Sequence, residues 1–272
     1  MTHASESMPA RSSLTGIAGM IYGALCYSFF LITFLYVMGF LADLSFLPKT
    51  VDRAASFTPP LMAALINGAL LTLFAVQHSV MARPAFKRAW TQIVPASLER
   101  STYVLFATLA VSLLIWQWRP ITDIVWSVTS PTAIVALYAI QALGWAVVLL
   151  ATFLINHFEL FGLRQVFASM LGRVIPETQF HTPLLYKHVR HPLYFGFLLA
   201  FWATPTMTMG HLLFAIATTG YILIGIQLEE RDLVAIFGDR YRRYREQVSM
   251  LIPLPWRRHR YDEISAADVD RL

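Results

Sequence analysis

The chain has 272 residues, of which 57% are hydrophobic and only 14% charged, and its net charge is +5. A soluble domain carries about a quarter of its residues as charges, and several apolar runs here approach the ~20 residues that cross a bilayer. With a mean hydropathy of +0.56, a soluble globule is excluded and a polytopic membrane protein is expected. The lone Cys26 rules out an internal disulfide and reads as a small apolar residue packed in a helix. Basic residues beside membrane helices set topology and contact anionic lipid, so lipid is the expected partner and nucleic acid is not.

Residues 1–13 form a short polar head, and the apolar run after it is too long for a signal-peptide core. It predicts a retained helix over 14–41. A loop with Asp43, Pro48, Lys49, Asp52 and Arg53 leads to Pro59-Pro60 and a second helix over 61–81, with Gln77 and His78 in its last turns. Residues 83–100 are basic and broken by Pro84. A third helix is expected over 101–118, and a fourth over 131–155, running into Asn156-His157-Phe158-Glu159. Residues 14–160 thus read as a four-helix transmembrane region.

From 161 to 187 the chain is mixed, with Gly162, Gly172, Pro176 and Pro183, and reads as loops and short surface helices. Two shorter apolar segments, 193–203 and 211–228, flank Thr204-Pro205-Thr206-Met207-Thr208-Met209-Gly210. They read as a tight helical hairpin, either spanning or re-entrant, since irregular backbone at depth must be covered by protein or face a cavity. Beyond it, Leu233, Val234, Phe237, Tyr241, Tyr244 and Val248 recur at helical spacing among arginines. That pattern predicts an amphipathic helix on the membrane interface, bent at Gly238. Residues 254–272 read as a tail. The expected fold is therefore all-α: about six membrane segments, including the C-terminal hairpin, plus the interfacial helix.

Lys and Arg give the orientation. If the N-terminus is cytoplasmic and six segments alternate, 18 of the 21 basic residues fall inside and only Lys49, Arg53 and Arg119 outside. Both termini are then cytoplasmic. Trp116, Trp118 and Trp126 fall at the opposite boundary, where indoles suit the headgroup layer.

Charges crowd both ends of the hairpin. Glu229 and Glu230 at a helix end beside hydrocarbon are costly unless offset, and Arg190 and His191 across the hairpin are the candidates. Two readings stand: an ion-pair clamp, or a pocket of mixed charge suited to a zwitterion. Pro192 in a first helical turn leaves N–H groups facing an anion, while Tyr194, Phe195 and Phe197 offer π-faces to a cation. Zinc is a poor fit, because one cysteine and scattered histidines lack ligand spacing.

Arg190-His191-Pro192-Leu193-Tyr194-Phe195-Gly196, Glu229-Glu230 and Phe237-Gly238-Asp239-Arg240-Tyr241-Arg242-Arg243-Tyr244 resemble the signature of the isoprenylcysteine carboxyl methyltransferase superfamily. More of the chain, including Gln77-His78-Ser79, Glu99-Arg100-Ser101-Thr102-Tyr103, Asn156-His157-Phe158-Glu159 and Ala203-Thr204-Pro205-Thr206, is similar to the bacterial methanethiol S-methyltransferases and distantly to nurim. The resemblance implies an enzyme of the bacterial inner membrane that methylates a small volatile thiol with S-adenosylmethionine (SAM), its cofactor module covering 161–253. It further implies that His188, Val189, Arg190, His191, Pro192, Tyr194, Glu229, Glu230 and Tyr241 enclose the cofactor. Arg190 is also a catalytic candidate, and His78 and then His157 are candidate bases for the thiol proton. A base needs hydrogen-bond reach to that proton, and each histidine also reads as a hydrogen-bonded structural residue. Two alternatives stay open: a methyltransferase for a prenylated or lipid-like acceptor, and a non-enzymatic nurim-like membrane protein.

Overall fold

The structure is a computed structural model that describes residues 13–54, 57–176 and 180–253. The head before Ser13 and the tail over 254–272 lie outside them. In chain order the helices are α1 (Ser13–Leu41), α2 (Pro60–Ala82), α3 (Pro84–Trp90), α4 (Ala96–Gln117), α5 (Pro131–Ile155), α6 (His157–Leu160), α7 (Leu163–Met170), α8 (Pro192–Trp202), α9 (Met209–Phe237) and α10 (Asp239–Gln247). Five of them, α1, α2, α4, α5 and α9, are long and apolar enough to cross a membrane, and α8 is a shorter apolar helix. The architecture is that of an all-α polytopic membrane protein.

Proline opens α2, α5 and α8, where its missing N–H costs nothing and its fixed φ suits the helix. Along the shafts Leu25, Leu65, Val135 and Ile224 point outward and are exposed. Helices apolar on every side belong in lipid, which solvates such residues. Inward, Phe40, Leu71, Trp118, Trp145, Phe201, Phe214 and Ile226 build one core. α5 packs closely against α8. A Cβ on Gly144 would lie 2.7 Å from Gly196 O, and one on Gly196 would lie 2.7 Å from Gly144 O. Small residues let two backbones meet where lipid offers no hydrophobic drive.

The elements alternate between two ends. At one end α2 finishes beside α9, through Arg83 Nη1 and Asp232 Oδ2 at 3.1 Å, and α8 begins beside α9. At the other, α1 ends against Trp118, whose Nε1 donates to Val51 O, and Asn67 pairs with the backbone of Arg119 through both ends of its amide.

Four expectations need correction. First, α4 starts at Ala96 rather than at 101, because Pro95 serves as its N-cap and the helix carries Glu99 and Arg100 in its opening turns. Second, Trp118 is fully buried and does not face headgroups, whereas Trp116 is exposed. Third, the break over 204–210 is structured: Thr206–Thr208 forms β2, antiparallel to β1 (Ile124–Ser127) in the connection between α4 and α5. Backbone groups that would otherwise be unmatched near the bilayer find partners there. Fourth, α9 does not stop at 228 but continues to Phe237, ending at Gly238 with φ +56°. The predicted interfacial helix is thus split, its first half belonging to α9 and its second half being α10.

Candidate active site

The 3₁₀ turn Leu184–Lys187 ends at His188, and the chain then runs extended into α8. Val189 pairs in parallel with Ser249, Arg190 N–H donates to Ser249 O at 2.8 Å, and His191 N–H donates to Met250 O at 3.1 Å. A strap following α10 therefore fixes the backbone from which both basic side chains emerge.

From that frame Arg190 Nε donates to Glu230 Oε1 at 2.7 Å. Arg190 Nη1 donates to Arg245 O at 2.8 Å and to Val248 O at 2.5 Å. His191 Nε2 lies 3.1 Å from Glu230 Oε1. The Arg190 and Glu230 side chains are only 8% and 11% exposed, so the pair is nearly desolvated and removing one partner would strand the other, at a cost of about 3–5 kcal/mol. Glu229 takes a different direction. It accepts from the Tyr194 hydroxyl at 2.9 Å, lies 3.8 Å from His191 Nδ1, and keeps its side chain 45% exposed. Tyr241 is buried behind the pair with Phe180 and Tyr244, and burial raises its hydroxyl pKa, the Glu230 charge adding to the effect.

Arg190, His191, Tyr194, Glu229 and Glu230 thus converge, with Pro192 opening the helix, Val189 buried in the approach and Tyr241 packed beneath. The arrangement is both a clamp and a candidate pocket: Arg190 Nη2 makes no hydrogen bond among the described residues, and the Glu229 carboxylate still has room for donors. A free guanidinium N–H, an open carboxylate and an aromatic ring suit a ligand carrying a carboxylate and cationic groups.

His78 belongs to an adjoining group. Its Nε2 lies 2.8 Å from the Tyr103 hydroxyl, and the rings of Phe74, Tyr103 and Tyr221 surround it. Ser79 Oγ donates to Tyr221 Oη at 3.3 Å, and Arg83 Nε donates to Ser79 O. Arg83, which pairs with Asp232, joins this group to α9, the helix that carries Glu229 and Glu230. His157 is held elsewhere. Tyr27 Oη and Thr152 Oγ1 each lie 2.8 Å from one of its ring nitrogens, and Phe153 stacks on it at 4.1 Å. Burial lowers its pKa. Asn156 and Arg164 bind Glu159 and not His157. With both nitrogens engaged, His157 fits the structural alternative.

Sequence reasoning missed Tyr103 and Tyr221 as site residues, the Arg83–Asp232 bridge and the strap over 248–250. A signal existed for two of them: Tyr221 and Asp232 are eleven residues apart on α9, about three turns and so on one face. The strap has no such signal, since its contribution is made by backbone carbonyls.

Fold and cluster define an all-α integral membrane protein with a guanidinium–imidazole–carboxylate site at one end of its helices. Comparison with known proteins narrows that class. The chain is 56% identical to the methanethiol S-methyltransferase of Mycobacterium tuberculosis, over 88% of its own length and 97% of that protein. It is 53% identical to the methanethiol S-methyltransferase of a Pseudomonas species, over 87% and 90% of the two chains. Nurim of Danio rerio is 31% identical over 62% of this chain and 64% of its own. No family model and no solved structure matches. The chain belongs to the methanethiol S-methyltransferase family.

Proposed function

We propose that the protein methylates methanethiol to dimethyl sulfide with SAM, at the end of the helices where Arg190 pairs with Glu230. The observation that carries this reading is identity above one half, across nearly the full length of relatives named for that reaction. The site chemistry supports the cofactor. SAM, when bound, supplies an electrophilic methyl group on a sulfonium sulfur. Arg190 Nη2 would donate to its carboxylate, Glu229 would accept from its ammonium or ribose hydroxyls, and Tyr194 would offer a ring face to positive charge. His188, Val189, His191, Pro192, Glu230 and Tyr241 shape and fix this enclosure. The positive-inside pattern supports placing this end, and both termini, at the cytoplasmic face of the bacterial inner membrane.

When a thiolate attacks a sulfonium methyl group, opposite charges disappear along the reaction coordinate. A dry site that holds the two sulfurs in line therefore helps more than water would. His78, among the rings of Phe74, Tyr103 and Tyr221, is the residue this reading assigns to the thiol. A one-carbon acceptor brings almost no binding energy, so selectivity rests on a compartment too small for larger thiols. Methanethiol partitions into the bilayer and enters laterally.

One observation favours a second acceptor class. An apolar crevice of about 410 Å³ runs along α8, lined by Phe195, Leu198, Leu199, Trp202, Leu251 and Ile252, and an acyl or prenyl chain would fit its chemistry.

Purified protein in lipid, supplied with SAM and either methanethiol or a prenylated thiol, separates the two readings by headspace and liquid analysis. Dimethyl sulfide without prenyl methylation is expected. Tritiated SAM should bind the wild type. Arg190→Ala and Glu230→Ala should weaken binding about 10- to 100-fold, as loss of a charge-assisted hydrogen bond implies. His78→Ala should keep binding and lose about 100-fold in turnover. An intact fold with no SAM binding would leave a non-enzymatic membrane protein.

A further inference from the structure

The hydrogen bonds around His78 constrain where its ring proton sits. Nε2 faces the Tyr103 hydroxyl at 2.8 Å, and Nδ1 is buried with no hydrogen-bond partner among the described residues. A neutral imidazole has one N–H and one lone pair, and a phenol has one O–H to give. If Tyr103 donates to Nε2, the ring hydrogen sits on Nδ1, and that single N–H is the unmatched group. If Nε2–H donates to Tyr103 instead, the Nδ1 lone pair is unmatched, and the phenolic hydrogen has no acceptor among the described residues either. Each unmatched buried group carries its full desolvation cost, so the first arrangement wins.

We propose that Tyr103 is a positioning residue that holds the His78 hydrogen on Nδ1, so that His78 meets the acceptor sulfur as a hydrogen-bond donor and not as its base. The proposal rests on the methyltransferase reading and specifies how the same site handles the thiol. Phe74, Tyr103 and Tyr221, with ring centroids 5.2, 5.0 and 6.3 Å from that of His78, make the surroundings largely apolar. A fixed donor aimed at developing or resident negative charge is worth most in such a place. Tyr221, whose hydroxyl accepts from Ser79, lies on α9, the helix that carries Glu229 and Glu230, and so links the compartment to the charged end of the helices.

The thiol S–H bond breaks, its proton passes to solvent water at the charged end, and the electron pair stays on sulfur under the Nδ1–H. That pair forms the new S–C bond while the bond from the methyl carbon to the donor sulfur breaks, leaving its electrons on the donor. The His78 hydrogen never leaves Nδ1.

The tautomer is readable without turnover. In protein carrying isotope-labelled histidine, reconstituted in lipid without substrate, the His78 resonances are those missing from His78→Asn. Their ¹³C and ¹⁵N shifts should report Nδ1–H in the wild type and a mixture in Tyr103→Phe. An Nε2–H wild type overturns the proposal. Kinetics gives the second test, because asparagine offers an N–H near the Nδ1 position and cannot accept the proton. His78→Asn should stay within about tenfold of wild-type kcat, whereas His78→Ala loses about 100-fold. Equal losses with SAM binding kept overturn the donor role. Wild-type kcat/KM should rise about tenfold per pH unit from about 6 to about 8 as the thiol ionises, whereas a plateau in that interval reports a titrating base and overturns it too. A wild type that makes no dimethyl sulfide removes the sulfur from this place, while the spectra alone still decide what Tyr103 does.

Discussion

At the residue scale, burial and pairing decide which charges are costly. Asp52, in the loop between α1 and α2, accepts from Thr208 Oγ1 at 2.5 Å, and so links that loop to β2. Burial pushes its carboxyl pKa from 3.8 up to about 6, the Asp43 charge adding to the rise and the Thr208 hydroxyl opposing it. Arg53 pairs with Asp43 at 3.6 Å, and burial beside Arg119 lowers the pKa of nearby Lys49. The sign follows from the raised folded value: the protonated form is favoured in the fold. Asp52's contribution is therefore whole below the unfolded value and lost as pH climbs through about 6, by on the order of 2 kcal/mol. Asp52→Asn should leave thermal stability at about pH 4 unchanged and raise it at pH 8 by on the order of 1–2 kcal/mol, read as a shift in Tm. A variant less stable than wild type at pH 8 would show that the carboxylate, and not its burial, is what the loop needs. Arg190 is the contrasting case: its charge is as buried, but Glu230 and two backbone carbonyls match it.

At the element scale, α8 matters out of proportion to its length, because it carries His191 at its N-cap and Arg190 just before it. Its position is set by the glycine contact with α5. Gly144→Ala and Gly196→Ala each drive a methyl group to 2.7 Å from backbone oxygen or nitrogen, and overpacking of this kind costs about 1–3 kcal/mol. Both should lower Tm and weaken SAM binding together, as α8 is pushed from α5 and the Arg190–Glu230 geometry opens. Gly225→Ala on α9, with nothing within 4 Å of its added carbon, should change neither. Loss of SAM binding in Gly225→Ala as well would mean that glycine flexibility, and not close approach, is at work. The length of α9 follows from local chemistry: Glu229-Glu230-Arg231-Asp232 continues a helix readily, Arg83 pairs with Asp232, and only Gly238 stops it.

At the scale of the whole molecule, alternating segments bring the end of α2, the start of α8 and the end of α9 to one side, with the basic loops. A green fluorescent protein fused after residue 272 should fluoresce in cells, and alkaline phosphatase fused there should stay inactive. The reverse result would place Arg190 and Glu230 on the side away from cytoplasmic SAM and end the proposed mechanism.

Sequence alone carried the existence of the apolar helices and the meeting of Arg190 and His191 with Glu229 and Glu230, though not where α4 begins or α9 ends. Hydropathy is additive along a segment, and a buried carboxylate beside hydrocarbon demands a cation within reach of a hairpin turn. The rest came from contacts between distant segments. Whether His78 or His157 has a ring nitrogen to spare depends on phenols and hydroxyls far away in sequence, Tyr103 for one and Tyr27 for the other. The β1–β2 pairing and the 248–250 strap are backbone contacts between distant segments. Backbone N–H and C=O groups are the same at every residue, so no side-chain pattern announces where they will pair.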